Sequence, residues 1–296
     1  MTLQKYPLDD DASDAFVFVD LDEADVATGI VRSAKKVLQD GARSLARHET
    51  YAWALLKTKF SGASGGINTP PDQQGVAYEQ FTRALAASEA NRKLILRPGK
   101  GVPPAEDSTL NDLTAQGVVA ATRAALGGLD GRSVAVESGD AAAQRVSELL
   151  TESGVTVSTV TPAEFESTPS QALICGSKVG LIDHEMAARL PHDVIVPMGP
   201  SPVTARAFAV LTKKNVTVIP AFLSVCGPLF AHRAQVEMPN AGPDIETLCT
   251  QVDEFVTARS EELSQHPEGS YMGACFAAEE FLATWIEELP FGRPFG

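Results

Sequence analysis

Between Ser133 and Ile219 the chain repeats one pattern, in which short apolar runs are separated by helical stretches. That alternation restricts the fold more than any other feature. Residues 133–136, 155–160, 172–174, 193–196 and 216–219 read as strands, with helices at 141–150, 184–190 and 204–213. Parallel strands need a long crossover rather than a tight turn, so the pattern predicts a parallel sheet covered by helices on both faces. Just upstream, residues 114–126 form an amphipathic helix through Val118, Val119, Ala121 and Leu126, closed by Gly127-Gly128-Leu129-Asp130-Gly131.

The N-terminal third is less regular. Residues 16–19 read as a buried strand, and residues 34–56 carry Val37, Leu38, Leu45 and Ala46 at helical spacing. Ser61-Gly62-Ala63-Ser64-Gly65-Gly66-Ile67-Asn68 is the densest glycine cluster and reads as a turn. Such a turn either lets backbone approach a ligand or another chain, or simply redirects the chain. Residues 75–90 are helical again, 94–96 extended, and a Pro/Gly-rich stretch at 98–104 leads into a loop ending near Asp112. The tail, residues 244–263 and 271–289, reads as two more helices.

With 296 residues and 44% hydrophobic content the chain can fill two ordinary cores, and two domains leave room for a cleft. A formal charge of −14 and a pI near 4.8 oppose a nucleic-acid or anionic-membrane surface, because phosphates would be repelled. Expected partners are therefore small molecules or proteins. Cys175, Cys226, Cys249 and Cys275 are widely spaced, with no C-x-x-C pair and no histidines at zinc-ligand spacing, so they read as reduced thiols and no metal site is expected. No apolar run approaches the roughly 18 residues needed to span a bilayer and no signal peptide is present, which makes a cytoplasmic location the expectation.

Residues 45–67, LARHETYAWALLKTKFSGASGGI, resemble without a gap the segment of the glutamate/leucine/phenylalanine/valine dehydrogenases that ends in Gly-Gly-Gly-Lys. Ala105-Glu106-Asp107 is similar to that family's loop with a catalytic aspartate, Thr114-Ala115-Gln116-Gly117-Val118 to its T-x-x-G-V helix start, and Gly131-Arg132-Ser133-Val134-Ala135-Val136 to its entry into the dinucleotide domain. Residues 199–204 and 216–229 resemble its late G-A-N-x-x-T and P-D-x-x-x-N-x-G-G runs, and the order is colinear. The resemblance implies an α/β protein of two-domain amino-acid-dehydrogenase-like architecture. Residues 1–113 would be an N-terminal substrate and oligomerisation domain, 114–243 a reduced Rossmann-like parallel-sheet domain, and 244–296 helices returning to the first domain, with an active cleft between the two. It also implies oxidative deamination of an amino acid, NAD or NADP as cofactor, and oligomeric assembly. Substrate contacts would fall at Ser64, Gly65, Gly66 and Thr114, with Asp107 shuttling protons.

Several residues depart from that pattern. Ala52 stands where the family has its carboxylate-binding lysine and Ser64 where it has its catalytic lysine, and neither can place a cation beside developing negative charge. Lys57 and Lys59 lie close by and offer either a substitute or a solvated surface. The positions of the G-x-G-x-x-G phosphate turn are Ser138, Asp140 and Ala143, and Asp140 would cap the helix that should receive a pyrophosphate. Thr161 stands near the place of the ribose-binding acid, Val225 and Ala221 replace a cofactor-contacting asparagine and an aspartate, and residues 161–171 are too few for the helix and strand usual there.

Three functions follow. In the first the protein is a repurposed family member with no cofactor expected, binding or transforming an amino-acid-like or 2-oxo-acid-like ligand, with Asp107 as general acid/base if partial burial lifts its pKa. In the second it is a non-catalytic partner, assembling with itself or with a paralogue. The third keeps an NAD- or NADP-dependent dehydrogenase. His48, His184, His192, His232 and His266 are scattered and do not choose among them.

Overall fold

The computed structural model describes residues 1–9, 13–88, 92–102, 108–240, 242–290 and 292–295. The chain forms two compact units, Met1–Ala105 with Ala278–Pro294, and Glu106–Ala277 with Phe295–Gly296.

The first unit is a five-stranded mixed sheet of β1 (Thr2–Tyr6), β2 (Asp14–Val19), β3 (Val26–Ala34), β4 (Ser61–Asn68) and β5 (Lys93–Pro98), in the order β1-β2-β4-β3-β5. β1, β2 and β4 pair antiparallel, whereas β3 runs parallel to both β4 and β5. The two parallel crossovers carry α1 (Gln39–Leu55) and α2 (Gln74–Ala87). Side chains alternate across a strand. Thus Phe16 and Phe18 meet Val37, Ala42 and Ala46 on the α1 side, while Ala15, Val17, Val19, Ala63 and Ile67 pack with Ala77 and Phe81 of α2.

Two expectations fail in this unit. The glycine cluster at 61–68 is not a turn but the buried central strand β4, and its glycines serve close packing. A Cβ on Gly62 would lie 1.8 Å from Ala46 O and 2.6 Å from Thr50 N of α1, and one on Gly66 would lie 2.4 Å from Phe16 Cζ. The helix expected from residue 34 starts only at Gln39, because Ala34 ends β3, a strand whose Thr28, Gly29, Arg32 and Ser33 break the apolar signal.

The second unit holds five parallel strands, β6 (Ser133–Glu137), β7 (Thr156–Val160), β8 (Ala172–Cys175), β9 (Val194–Pro197) and β10 (Thr217–Val218), in the order β10-β9-β8-β6-β7. Here the sequence expectations hold. α3 (Ser108–Leu126), α4 (Ala141–Glu152), α5 (His184–Arg189) and α6 (Ala205–Lys213) supply the helices, and α3 extends one and a half turns upstream into the stretch expected as loop. The chain passes from β7 to β8 across β6 through one 3₁₀ turn at Pro162–Glu164, which leaves β7 as the sheet edge. A third strand would lie outside it in a full doubly wound sheet. Two short helices were not foreseen, α7 (Ala221–Ser224) and α8 (Gly227–Glu237), and a Cβ on Gly227 would lie 2.0 Å from Leu113 O of α3.

The boundary falls at residue 105 rather than 113, since α3 belongs wholly to the second unit. The tail does not return as a whole either. α9 (Ile245–Ser264) stays on α3, where Asp253 accepts hydrogen bonds from Gln116 and Arg123 (2.8 and 2.7 Å). Only the end of α10 (Gly269–Leu282) and the residues after it as far as Pro294 join the first unit. There Glu279 accepts from Tyr51 Oη (3.0 Å) and Arg293 Nε (2.7 Å), and Arg47 Nη1 donates to Gly292 O (2.7 Å). Among the described residues no helix is long and apolar enough to cross a membrane, and no group of three His, Cys, Asp or Glu side chains is placed to hold a metal ion.

Candidate functional site

In open parallel sheets, ligands lie at the carboxyl ends of strands where the strand order reverses, which here is between β6 and β8. β6 ends in Glu137, which is 1% exposed. A buried carboxylate must be satisfied by donors, and Glu137 Oε2 accepts from the backbone N–H of Gly176 (2.8 Å) and of Ser177 (3.1 Å), the two residues after β8. Successive backbone amides of this kind make an anion cradle. Its anion is a side chain of the same chain. Behind it the backbones at the ends of β8 and β9 touch, for a Cβ on Gly176 would lie 2.2 Å from Gly199 N. Burial, with the Glu137 charge beside it, pushes the Cys175 thiol up, so Cys175 stays protonated and unreactive.

The helix beside this edge is closed in the same manner. Asp140 caps α4 by accepting from Ala143 N (3.2 Å), and Ser138 N donates to Val160 O (2.7 Å). The α4 N-terminus therefore already faces a carboxylate.

On the first sheet the α1 side carries the charged side chains. Glu49 receives the Thr28 hydroxyl and Arg97 Nη2 (2.9 Å), and Trp53 Nε1 donates to Thr28 Oγ1 (2.8 Å). Burial, with the positive charge of Arg97, pulls the His48 imidazole down to about 3, so His48 is neutral at physiological pH. Ala52, in the lysine position, is buried beside Trp53.

The other residues proposed from sequence belong to both units. Ser64 is fully buried and its hydroxyl donates only to Ile30 O, at 3.5 Å. Gly66 faces α1, but Gly65 faces the opposite side, where a Cβ would lie 3.0 Å from Val31 Cγ2. Ser64 and Gly66 therefore share one face of β4, and Gly65 belongs to the other. Thr114 sits half-buried on α3 in the second unit, its hydroxyl returned to Leu110 O (2.8 Å). Asp107 lies outside the described residues. Lys57 and Lys59 are exposed, and Lys57 Nζ rests 5.3 Å from the Phe281 ring centroid. Sequence reading missed Glu137, Arg32, Glu49 and Arg97. The one available signal was Arg32 inside a strand that is otherwise small or apolar.

A first unit of mixed sheet with helices on both faces, followed by a parallel sheet of reduced Rossmann type, is the architecture of the amino-acid dehydrogenases. Among solved structures, L-tryptophan dehydrogenase from Nostoc punctiforme superposes with a TM-score of 0.70 at 17% identity, over 96% of each chain. Hetero-hexameric glutamate dehydrogenase from Thermus thermophilus, in its Leu-bound form, gives 0.79 at 19% identity, over 96% of this chain and 88% of that one. Plasmodium falciparum glutamate dehydrogenase gives 0.78 at 12%, over 95% and 81%. No protein-family model matches the sequence, and no curated protein sequence does. At these identities the likeness establishes the fold.

Proposed function

We propose that this protein binds an amino-acid-like or 2-oxo-acid-like ligand and has given up hydride transfer to NAD or NADP. The observation that carries the reading is Glu137. A dinucleotide needs free backbone donors and an uncapped helix N-terminus for its pyrophosphate, whereas here Glu137 holds the amides of Gly176 and Ser177 and Asp140 caps α4. The residues present do not fit that cofactor. The Leu-bound state of the Thermus thermophilus structure supports an amino-acid ligand. In this reading Asp107 is the general acid/base and the protein a cytoplasmic oligomer. The hetero-hexameric state of the same structure favours one second reading, a non-catalytic subunit that assembles with a paralogue.

Thermal shift of the full-length protein tests both. A ligand at 100 times its dissociation constant stabilises by about 2.7 kcal/mol. Leucine, glutamate, tryptophan or a corresponding 2-oxo acid should raise the melting temperature, and NAD and NADP should not. A shift with either dinucleotide ends the reading. Silence across the panel together with co-purification of a homologous chain transfers the function to the subunit role.

A further inference from the structure

We propose that Arg32 is the group that binds the carboxylate of that ligand, so that β3 supplies the cation which Ala52 and Ser64 do not. The inference rests on the reading above that an amino-acid-like or 2-oxo-acid-like ligand binds. Arg32 is partly buried, with its Nε and Nη2 both shielded from solvent, and neither has a hydrogen-bond partner among the described residues. Leaving two donors of one cation unmet in the interior is unfavourable unless something else meets them. Burial pulls the guanidinium below its ordinary pKa, yet an arginine keeps its charge.

The acceptor that this edge fits is shown three times elsewhere in the chain. Arg47 grips Asp20 through Nε (2.7 Å) and Nη2 (2.8 Å). Arg189 grips Glu166 through the same two atoms (2.7 and 2.8 Å), and Arg293 grips Glu279 likewise (2.7 and 2.9 Å). In each pair a planar carboxylate lies side-on against Nε and Nη2, the two-point geometry that matches a guanidinium best. Arg32 offers the same edge. Three of the described positions next to it are glycines. Gly66 is its register partner on β4, and a Cβ on Gly99, just past β5, would lie 3.4 Å from Arg32 Cγ. Gly41, in the first turn of α1, would place a Cβ 3.8 Å from Nη2 and within 4 Å of no other atom outside its own helix backbone. Among the described residues, glycine at these positions supplies no counter-ion, and a Cβ on Gly41 would meet only the guanidinium. In the proposal the acid comes with the ligand.

Calorimetric titration of the full-length protein tests this with leucine, glutamate, tryptophan and their 2-oxo acids, with the matching carboxamides, and with inorganic phosphate. The wild type should bind the acids and reject the carboxamides and phosphate. Arg32→Met should weaken the acids by about 30-fold or more, the worth of a charge-assisted pair of hydrogen bonds. Arg32→Lys should recover part of that loss, because an ammonium keeps the charge without the fork. Without ligand, Arg32→Met should melt no lower than wild type, since it removes an unmet cation. Wild-type binding that survives in Arg32→Met within about twofold overturns the role of Arg32 and leaves the ligand reading standing. Phosphate binding as tight as the acids overturns the carboxylate assignment. A lower melting temperature or a changed oligomeric state in ligand-free Arg32→Met makes the guanidinium structural or interfacial and overturns it too. Failure of the wild type to bind any of the acids removes the ligand reading, and this inference with it.

Discussion

One shielded charge in each unit is treated in opposite ways. In the second unit the carboxylate of Glu137 is met inside the chain by the amides of Gly176 and Ser177, at the place where a parallel sheet ordinarily receives an anion. In the first unit Nε and Nη2 of the partly buried Arg32 are shielded and unmet among the described residues, with glycines beside them. A charge satisfied by its own chain has no need of a ligand, and an unsatisfied one does. On the proposed reading, recognition falls to the first unit and a supporting role to the second, although the fold by itself would suggest nucleotide binding in the second.

The sharpest way to break that comparison is at the glycines, because they were chosen for different reasons in the two units. Gly62→Ala would drive a Cβ to 1.8 Å from Ala46 O, into backbone that cannot rotate away. We expect a loss of about 4 kcal/mol or more in denaturant unfolding, or no folded protein. Gly139→Ala, in the turn that replaces the phosphate loop, meets only Ala143 Cβ at 3.7 Å and should change stability by less than about 0.5 kcal/mol. Equal tolerance at both sites would mean that α1 does not need its close seat on β4.

Glu137→Ala comes next in size. It strands two buried N–H groups and opens a small cavity, which together should cost about 3 kcal/mol by chemical denaturation. Glu137→Gln keeps one acceptor oxygen and should lose about half as much. Wild-type stability in Glu137→Ala would show that the cradle is not filled by that carboxylate, and the contrast between the sheets would collapse.

How far each unit could be read from sequence follows the same division. In the second unit, strands such as Ala172–Cys175 and Val194–Pro197 are buried throughout, so apolar runs mark them. Asp140, placed just before three alanines, announces an N-cap. In the first unit β3 is interrupted by Thr28, Gly29 and Arg32, and β4 is written in glycine and serine because a helix presses on it. That composition is the ordinary signal for a turn, and packing overrode it. The pairing of Glu137 with Gly176 joins residues 39 apart, and the unmet edge of Arg32 depends on glycines from three other segments. Neither leaves a local mark. α7 and α8 had no sequence reading as helices at all, and Pro220 and Pro228 give no helical signal of their own, although Pro228 sits at the start of α8, where a helix tolerates proline.

The smallest effect sharpens the contrast through histidine. Burial lowers the pKa of both His48 in the first unit and His192 in the second, but His48 is pulled down to about 3, with Arg97 adding to the effect, whereas His192 is partly restored by bonding to Ser170 O and Phe165 O. The unfolded chain takes up a proton on each histidine below about pH 6.5, and the native state resists doing so. Stability attached to His48 is thus complete above that pH and drains away as the solution is acidified toward pH 3, at about 1.4 kcal/mol per pH unit. His48→Gln should remove one proton's worth of slope between pH 6 and pH 4, whatever it does to stability at neutral pH. His192→Gln should remove less, and only over the upper part of that window. Unfolding curves at half-unit pH steps decide the matter: slopes that do not change in His48→Gln would mean that the native imidazole takes up its proton over the same range as the unfolded one, and that the α1 side of the first sheet accepts one more buried cation.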